Sequence, residues 1–178
     1  LVGKTVTAEA PRINGMVYKD AIGTHAKSVL KILLDKEALR FSADVGVADC
    51  GTNPEDGSLA VSPLVDGTKI LWKRNGDEKQ FAGLVGKNGK IERGSVCFVV
   101  KGDGKELFNS GVVRGGENPV HVDVDLKGVS LLEMYALPTD DGASGDHALW
   151  ISPEIEYTVK APRTTDAGAI DKGPEMTG

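Results

Sequence analysis

The amino-acid sequence predicts an all-β protein built as an antiparallel sandwich or barrel. Its 23 glycines and eight prolines divide the 178 residues into short segments, and few of these segments carry a helical period. Two segments alternate between apolar and polar residues, two others are apolar on both sides, and explicit turn residues separate them. Short strands with turn signals at this spacing are typical of antiparallel sheets.

Five segments carry the strand prediction. Residues 39–47 and 120–126 alternate, which predicts two strands with one buried face each. Residues 96–100 and 131–137 are apolar on both sides, which predicts central strands covered on both faces or nearly so. Residues 29–34 are dense in Val, Leu and Ile and precede Asp-Lys, so a buried strand with a turn suits them better than a helix.

Residues 50–94 differ from the rest and are predicted to form an inserted pair of hairpins. Turn signals containing Asn-Gly lie at 75–77 and 87–90, and Asn-Gly between alternating segments is the strongest short hairpin signal. The folded domain is expected to span residues 1–159. Residues 160–178 are rich in Pro, Thr, Asp and Gly, which predicts a linker or the start of a following segment.

Length, charge and cysteine content limit the class of protein. A chain of 178 residues fits one domain. The net charge of −5 comes from 26 acidic and 21 basic residues spread along the chain, which argues against a nucleic-acid-binding protein. No apolar run approaches the roughly 20 residues of a membrane span. The start at Leu1 is uninformative about compartment, and Cys50 and Cys97 can be bonded or free.

A loop rich in Gly and Asp precedes the run Asp146–Trp150. Asp140, Asp141 and Asp146 would supply the oxygen ligands that calcium requires, although their spacing is not that of an EF-hand. An acidic loop without metal is the alternative. The three histidines show no short spacing with each other or with the cysteines, so the sequence does not support a zinc site.

Five segments, in order, resemble the NPCBM domain, the carbohydrate-binding module of family 51. They are Ile-Gly-Thr-His-Ala at 22–26, residues 41–47 around Val-Gly-Val, Ser-Gly-Val-Val-Arg-Gly-Gly at 110–116, residues 122–129, and Asp-His-Ala-Leu-Trp at 146–150. The family usually continues almost directly from its Val-Gly-Val strand to its Gly-Ser-Val strand, whereas residues 50–93 intervene here. Leu149 also stands where the family often has a second acidic residue.

The resemblance implies a jelly-roll-like β-sandwich attached to a secreted, periplasmic or cell-surface glycoside hydrolase. Such a module is not itself an enzyme. It binds a glycan with a terminal galactose-type sugar at loops on one edge, and some members hold a structural calcium ion. The implied partners are therefore the glycan and the attached catalytic domain.

Residue chemistry and the resemblance together select six candidates for sugar binding. Sugar recognition needs hydrogen-bonding groups for vicinal hydroxyls and a flat apolar surface for the C–H face of the ring. The candidates are His25, Asp49, Arg114, Asp146, His147 and Trp150.

Most of these candidates also have a purely structural interpretation. His25 follows a Gly-Thr turn that would expose its ring, but it could instead bond a neighbouring backbone group. Asp49 could cap a turn, and Arg114 could be a surface residue beside its glycines. His147 and Trp150 are three residues apart, so they point to opposite faces of an extended segment. Trp150 is the better candidate for the core, and His147 for a site.

Catalysis finds little support in the sequence. Glycoside hydrolysis needs two carboxylates across a cleft, and nothing singles out one pair among 26 acidic residues. No serine has a nucleophile-elbow context, and no phosphate-binding glycine loop precedes a helix. The alternative to sugar binding is a structural or protein-interaction domain of a larger secreted enzyme, with Trp72 of the insertion buried against a catalytic neighbour.

Overall fold

Two antiparallel sheets with a shared apolar core form the body of the protein in a computed structural model. The structure describes residues 3, 10–13, 16–49, 59–65, 68–75, 78–85, 91–92, 94–140 and 145–165, and between 59 and 92 it describes the backbone. Regular structure in these ranges consists of β-strands without a helix. The described ranges accordingly contain no helix that is long and apolar enough to cross a membrane.

The strands are numbered in chain order. They are β1 (Arg12–Ile13), β2 (Met16–Val17), β3 (Ala21–His25), β4 (Ser28–Leu33), β5 (Ala38–Val47), β6 (Leu59–Val65), β7 (Thr68–Asn75), β8 (Glu78–Val85), β9 (Ile91–Glu92), β10 (Ser95–Gly102), β11 (Lys105–Arg114), β12 (Val120–Asp125), β13 (Leu131–Pro138), β14 (His147–Tyr157) and β15 (Arg163–Thr164). Sheet I has the order β11-β10-β13-β4-β15, and sheet II has the order β12-β5-β14-β3. The inserted sheet has the order β6-β7-β8-β9, and β1 pairs with β2.

The core lies between sheets I and II because each contributes every second residue of its strands to it. Phe41 of β5, Phe98 of β10 and Trp150 of β14 form its aromatic centre. The rings of Phe98 and Trp150 meet edge to face with centroids 5.2 Å apart, and the Phe41 ring lies 6.4 Å from Trp150. Each such pair contributes about 0.5–1.5 kcal/mol beyond its buried area.

The structure confirms the all-β class, the antiparallel sandwich and the five predicted strands. β5 and β12 bury one face each. β10 and β13 occupy interior positions of sheet I, as predicted. Burial alternates along β13, however, so its outer face is half-buried rather than covered. On that face Lys101 Nζ lies 5.3 Å from the ring centroid of Tyr135, and the apolar stems of such side chains provide part of the cover.

A second, smaller apolar cluster lies on the outer face of sheet II, under the N-terminal hairpin of β1 and β2. A Cβ atom at Gly46 would lie 2.5 Å from Cδ1 of Ile13. The glycine of the Val-Gly-Val segment therefore makes room for β1 to pack against β5. The members of the cluster are Ile13, Ala21, Ala48, Leu149 and Ile151, with Tyr18 packed against them.

The insertion forms its own antiparallel sheet between β5 and β10, which confirms the predicted inserted hairpins. β6, β7, β8 and β9 pair in sequence order. Asn75 is the last residue of β7, and the rest of the predicted turns at 75–77 and 87–90 lies outside the described residues. The side chain of Trp72 lies outside the described part of the chain, so its proposed burial stays a prediction.

The C-terminal segment remains attached to the sandwich beyond residue 159. β15 pairs with β4 as the edge of sheet I, and Asp35 forms ion pairs with Lys160 at 2.6 Å and with Arg163 at 2.7 Å. Residues 160–165 thus lie against the domain rather than forming a linker. The folded domain therefore extends beyond residue 159, its predicted end. Residues 166–178 lie outside the described residues.

Candidate functional site

Two histidines of the predicted site lie side by side at one end of sheet II. β3 ends at His25, β14 begins at His147, and the two residues are cross-strand partners. Their ring centroids are 5.5 Å apart at an interplanar angle of 58°. Since Ala148 and Trp150 face the core, the alternation of β14 turns His147 and its partner to the outer face. We call His25 and His147 the histidine pair.

Backbone groups fix the position of the histidine pair. Nδ1 of His25 lies 2.6 Å from the carbonyl oxygen of Ala26. A carbonyl oxygen only accepts, so Nδ1 donates and Nε2 of the neutral ring is an acceptor. The amide of Ala48, the residue after β5, donates to the carbonyl oxygen of His147 at 2.8 Å, which holds the end of β5 beside the pair. The amide of the next residue, Asp49, donates to the carbonyl oxygen of Arg12 at 2.7 Å. His25 therefore bonds a neighbouring backbone group, as its structural interpretation states, and keeps one acceptor nitrogen.

Asp146 is buried and joins three segments of the chain. Its side chain is 0% exposed, and Oδ1 accepts a hydrogen bond from the amide of Ser95 at 2.9 Å. The carbonyl oxygen of Asp146 accepts from the amide of Ala26 at 3.1 Å. A hydrogen bond to a charged acceptor contributes about 1.5–3 kcal/mol. Asp146 therefore holds the start of β14, and with it His147, against the start of β10.

Arg114 lies on the opposite side of the sandwich from the histidine pair. It ends β11 as the cross-strand partner of Ser95, and its neighbour Val113 is buried in the core, so Arg114 faces outward from sheet I. There it lines an open depression of about 480 Å³, which we call the Arg114 depression. The other lining residues are Cys97, Val112, Pro138, Thr139 and Asp140.

Trp150 lies in the core and is not available as a platform for a sugar ring. Its side chain is 2% exposed and contacts Phe41 and Phe98. The structural interpretation of Trp150 therefore holds, and His147 and Trp150 do lie on opposite faces of β14.

The proposed calcium ligands are only partly within the described residues. Asp140 is exposed in a turn, Asp141 lies outside the described residues, and Oδ1 of Asp146 accepts the amide of Ser95. No group of three or more His, Cys, Asp and Glu residues that could hold a metal ion occurs in the described ranges. Calcium stays a prediction for this loop.

The structure thus divides the six predicted residues into four places. His25 and His147 pair at the end of sheet II, where Asp49 follows β5 by two residues. Arg114 lies on the outer face of sheet I, Asp146 is buried between the two faces, and Trp150 is in the core. Sequence reasoning missed the apolar wall beside Arg114. Val112 is 51% exposed in a strand, whereas in the sequence it stands out only as part of the Ser-Gly-Val-Val-Arg-Gly-Gly motif. Cys97, also in that wall, carries a free thiol.

The fold defines a β-sandwich module with polar groups gathered at the loops of one end. The NPCBM/NEW2 domain family matches residues 3–75 and 68–156, and the chain belongs to this family. A search of curated proteins gives no match.

Solved CBM51 structures share the fold at low sequence identity. The CBM51 of Clostridium perfringens GH95 in complex with methyl-galactose is 20% identical with a TM-score of 0.58, over 87% of this chain and 86% of that one. The structure of CBM51-2 and INT domains from Clostridium perfringens ZmpB is 17% identical with a TM-score of 0.60, and the match covers 88% of this chain and 27% of that one. A ZmpB structure that includes the M60 catalytic domain is 22% identical with a TM-score of 0.60, over 88% of this chain and 13% of that one.

Proposed function

We propose that the chain is a non-catalytic carbohydrate-binding module that recognises a terminal galactose-type sugar at the histidine pair. The observation that carries the proposal is the in-register placement of His25 and His147 on an outer face, beside the end of β5. Nε2 of His25 accepts a hydroxyl hydrogen, and Asp49 stays a predicted second acceptor. Similarity to a CBM51 solved with methyl-galactose supports the choice of sugar.

Trp150 is buried in the core and cannot stack on a sugar ring at the histidine pair, so we expect weak binding. A dissociation constant of about 1 mM corresponds to about 4 kcal/mol. A module with such affinity acts by tethering, because it raises the local concentration of substrate for an attached enzyme. We therefore propose an attached glycoside hydrolase as partner and a secreted, periplasmic or cell-surface location, where glycans are displayed.

The proposal is tested by calorimetric titration of the chain and of His25→Ala with methyl-galactose. We expect His25→Ala to weaken binding at least tenfold, about 1.4 kcal/mol, with little change in thermal unfolding. His121→Ala is the matched control. His121 is an exposed histidine of sheet II whose Nδ1 lies 2.7 Å from Asp44, at the opposite edge from β3. Absence of binding to any galactoside or fucoside by the unmodified chain would refute the proposal.

Calcium in the loop between β13 and β14 is a separate proposal with its own test. The support is the chemistry of Asp140 and Asp141, whose carboxylates are the hard oxygen ligands that calcium prefers. We expect a chelator to lower the midpoint of thermal unfolding and the double variant Asp140→Asn, Asp141→Asn to abolish that effect. An unfolding midpoint that does not respond to chelator or added calcium would refute the calcium proposal.

A further inference from the structure

The Arg114 depression has the size and the wall chemistry of a small-ligand site. Its volume of about 480 Å³ falls within the roughly 300–1,000 Å³ of ligand pockets. Val112 and Pro138 give it an apolar wall, and Arg114 and Asp140 add a cation and an anion. An apolar surface with a few polar groups is the arrangement that recognises a pyranose, which has a C–H face and hydroxyls around its edge.

Arg114 and Asp140 do not neutralise each other, although both line the depression. Within the described residues, neither side chain takes part in an ion pair. The guanidinium group can therefore donate to a hydroxyl oxygen, while the carboxylate accepts a hydroxyl hydrogen. The two opposite charges leave the rim without net charge, and the hydroxyls of a neutral ring can use both groups, since a hydroxyl both accepts and donates hydrogen bonds.

Backbone contacts fix the walls of the depression before a ligand arrives. The amide of Arg114 donates to Oε2 of Glu117 at 2.8 Å, and the amide of Gly115 donates to the carbonyl oxygen of Gly94 at 3.0 Å. On the apolar side, the register of β10 and β11 shifts between Cys97 and Val99. Such irregularities re-aim side chains and are frequent at sheet edges, the position of β11, and beside active sites.

The depression is separate from the histidine pair because the two lie on opposite outer faces. Val113 points into the core from β11 and Ala148 points into it from β14, so Arg114 and His147 point away from each other across the sandwich. Between them lies Asp146, which is 0% exposed.

We propose that the Arg114 depression is a second sugar-binding site, which takes one neutral pyranose ring against Val112 and Pro138. Arg114 hydrogen-bonds hydroxyls at the rim of the ring, and Asp140 does so in the calcium-free chain. Two weak sites on opposite faces let one module bridge neighbouring glycan chains, and the gain in avidity can exceed either affinity by about 10²-fold or more when both are engaged. The site stands independently of the histidine pair.

The test is a ¹H–¹⁵N chemical-shift titration of the full chain with methyl-galactose and N-acetylglucosamine, and with N-acetylneuraminic acid as a charged probe. We expect a neutral sugar to shift the amides of Cys97, Val112 and Asp140. Arg114→Ala should weaken this response at least tenfold. Lys105→Ala is the matched control, because it removes an exposed cation from the far end of the same strand, β11.

Each outcome decides a specific point. Shifts confined to the histidine pair would overturn the second site and leave the proposed function standing. Shifts at the depression alone would support the second site and count against sugar binding at the histidine pair. Loss of both responses in Arg114→Ala, with the fold intact, would show one continuous site and overturn the separation. A response of the depression that saturates with N-acetylneuraminic acid but not with either neutral sugar would overturn the proposal that the ligand is a neutral ring. An absence of shifts with all three probes would overturn the second site.

Discussion

Replacement of Gly94 by Ala should destabilise the loop end of the sandwich far more than an ordinary surface substitution. Gly94 has a φ of +73°, and a Cβ there would lie 2.2 Å from the carbonyl oxygen of Gly145 and 2.5 Å from its carbonyl carbon. Since both are backbone atoms, the segment before β14 must move. That movement pulls Asp146 away from the amide of Ser95, which lies 2.9 Å from Oδ1.

The expected loss of unfolding free energy is the sum of two contributions. Alanine at positive φ costs about 1 kcal/mol relative to glycine, and loss of the hydrogen bond to a buried carboxylate costs about 1.5–3 kcal/mol. We therefore expect Gly94→Ala to lower the free energy of unfolding by about 2.5–4 kcal/mol. Sugar binding at His147 should weaken as well, because Asp146 positions the start of β14.

Gly104→Ala is the matched control for this experiment. Gly104 has a φ of +80°, yet nothing lies within 4 Å of an added Cβ, so only the cost of about 1 kcal/mol for positive φ applies. Urea unfolding of both variants measures the difference, which we expect to be about 1.5–3 kcal/mol. Equal losses in the two variants would refute the contact between Gly94 and Gly145 as the cause.

Three further predictions concern the core, the C-terminal segment and the thiol. Trp150→Ala should cost about 3–5 kcal/mol of unfolding free energy, while Trp150→Phe should retain sugar affinity; loss of affinity in a folded Phe variant would contradict the core assignment. Hydrogen bonds from Lys160 and Arg163 lower the pKa of Asp35. The stabilisation that these bonds give the folded state is therefore present above the ordinary carboxyl pKa and is lost as pH falls through the lowered value. Asp35→Asn should thus speed hydrogen exchange in β15 at neutral pH, and unchanged exchange would show that the ion pairs do not hold the strand. Burial raises the pKa of the Cys97 thiol, so its alkylation at pH 8 in a Cys50→Ser chain should be slower than that of a small free thiol; an equal rate would contradict this.

The local sequence pattern was sufficient to predict five strands of the two sheets. β5 and β12 alternate strictly, and β4, β10 and β13 are apolar enough to require a sheet interior. The strand β14 was harder to define from sequence, because its first residues continue a Gly/Asp loop and its Trp150 belongs to the core. Its length and its central place beside β5 and β3 depend on pairing between residues more than a hundred positions apart in sequence, which a local pattern does not contain.

The candidate site shows a similar division. The sequence alone determined the all-β class, the insertion and the family resemblance, since these depend on residue alternation, turn chemistry and ordered motifs. It also separated His147 from Trp150, because strand alternation is a local property. Only the tertiary structure decided that His25 and His147 meet, that Asp146 is buried, and that Arg114 lies on the other face. The physical reason is that strand pairing and sheet stacking, rather than sequence spacing, bring distant residues to one surface or place them on opposite ones.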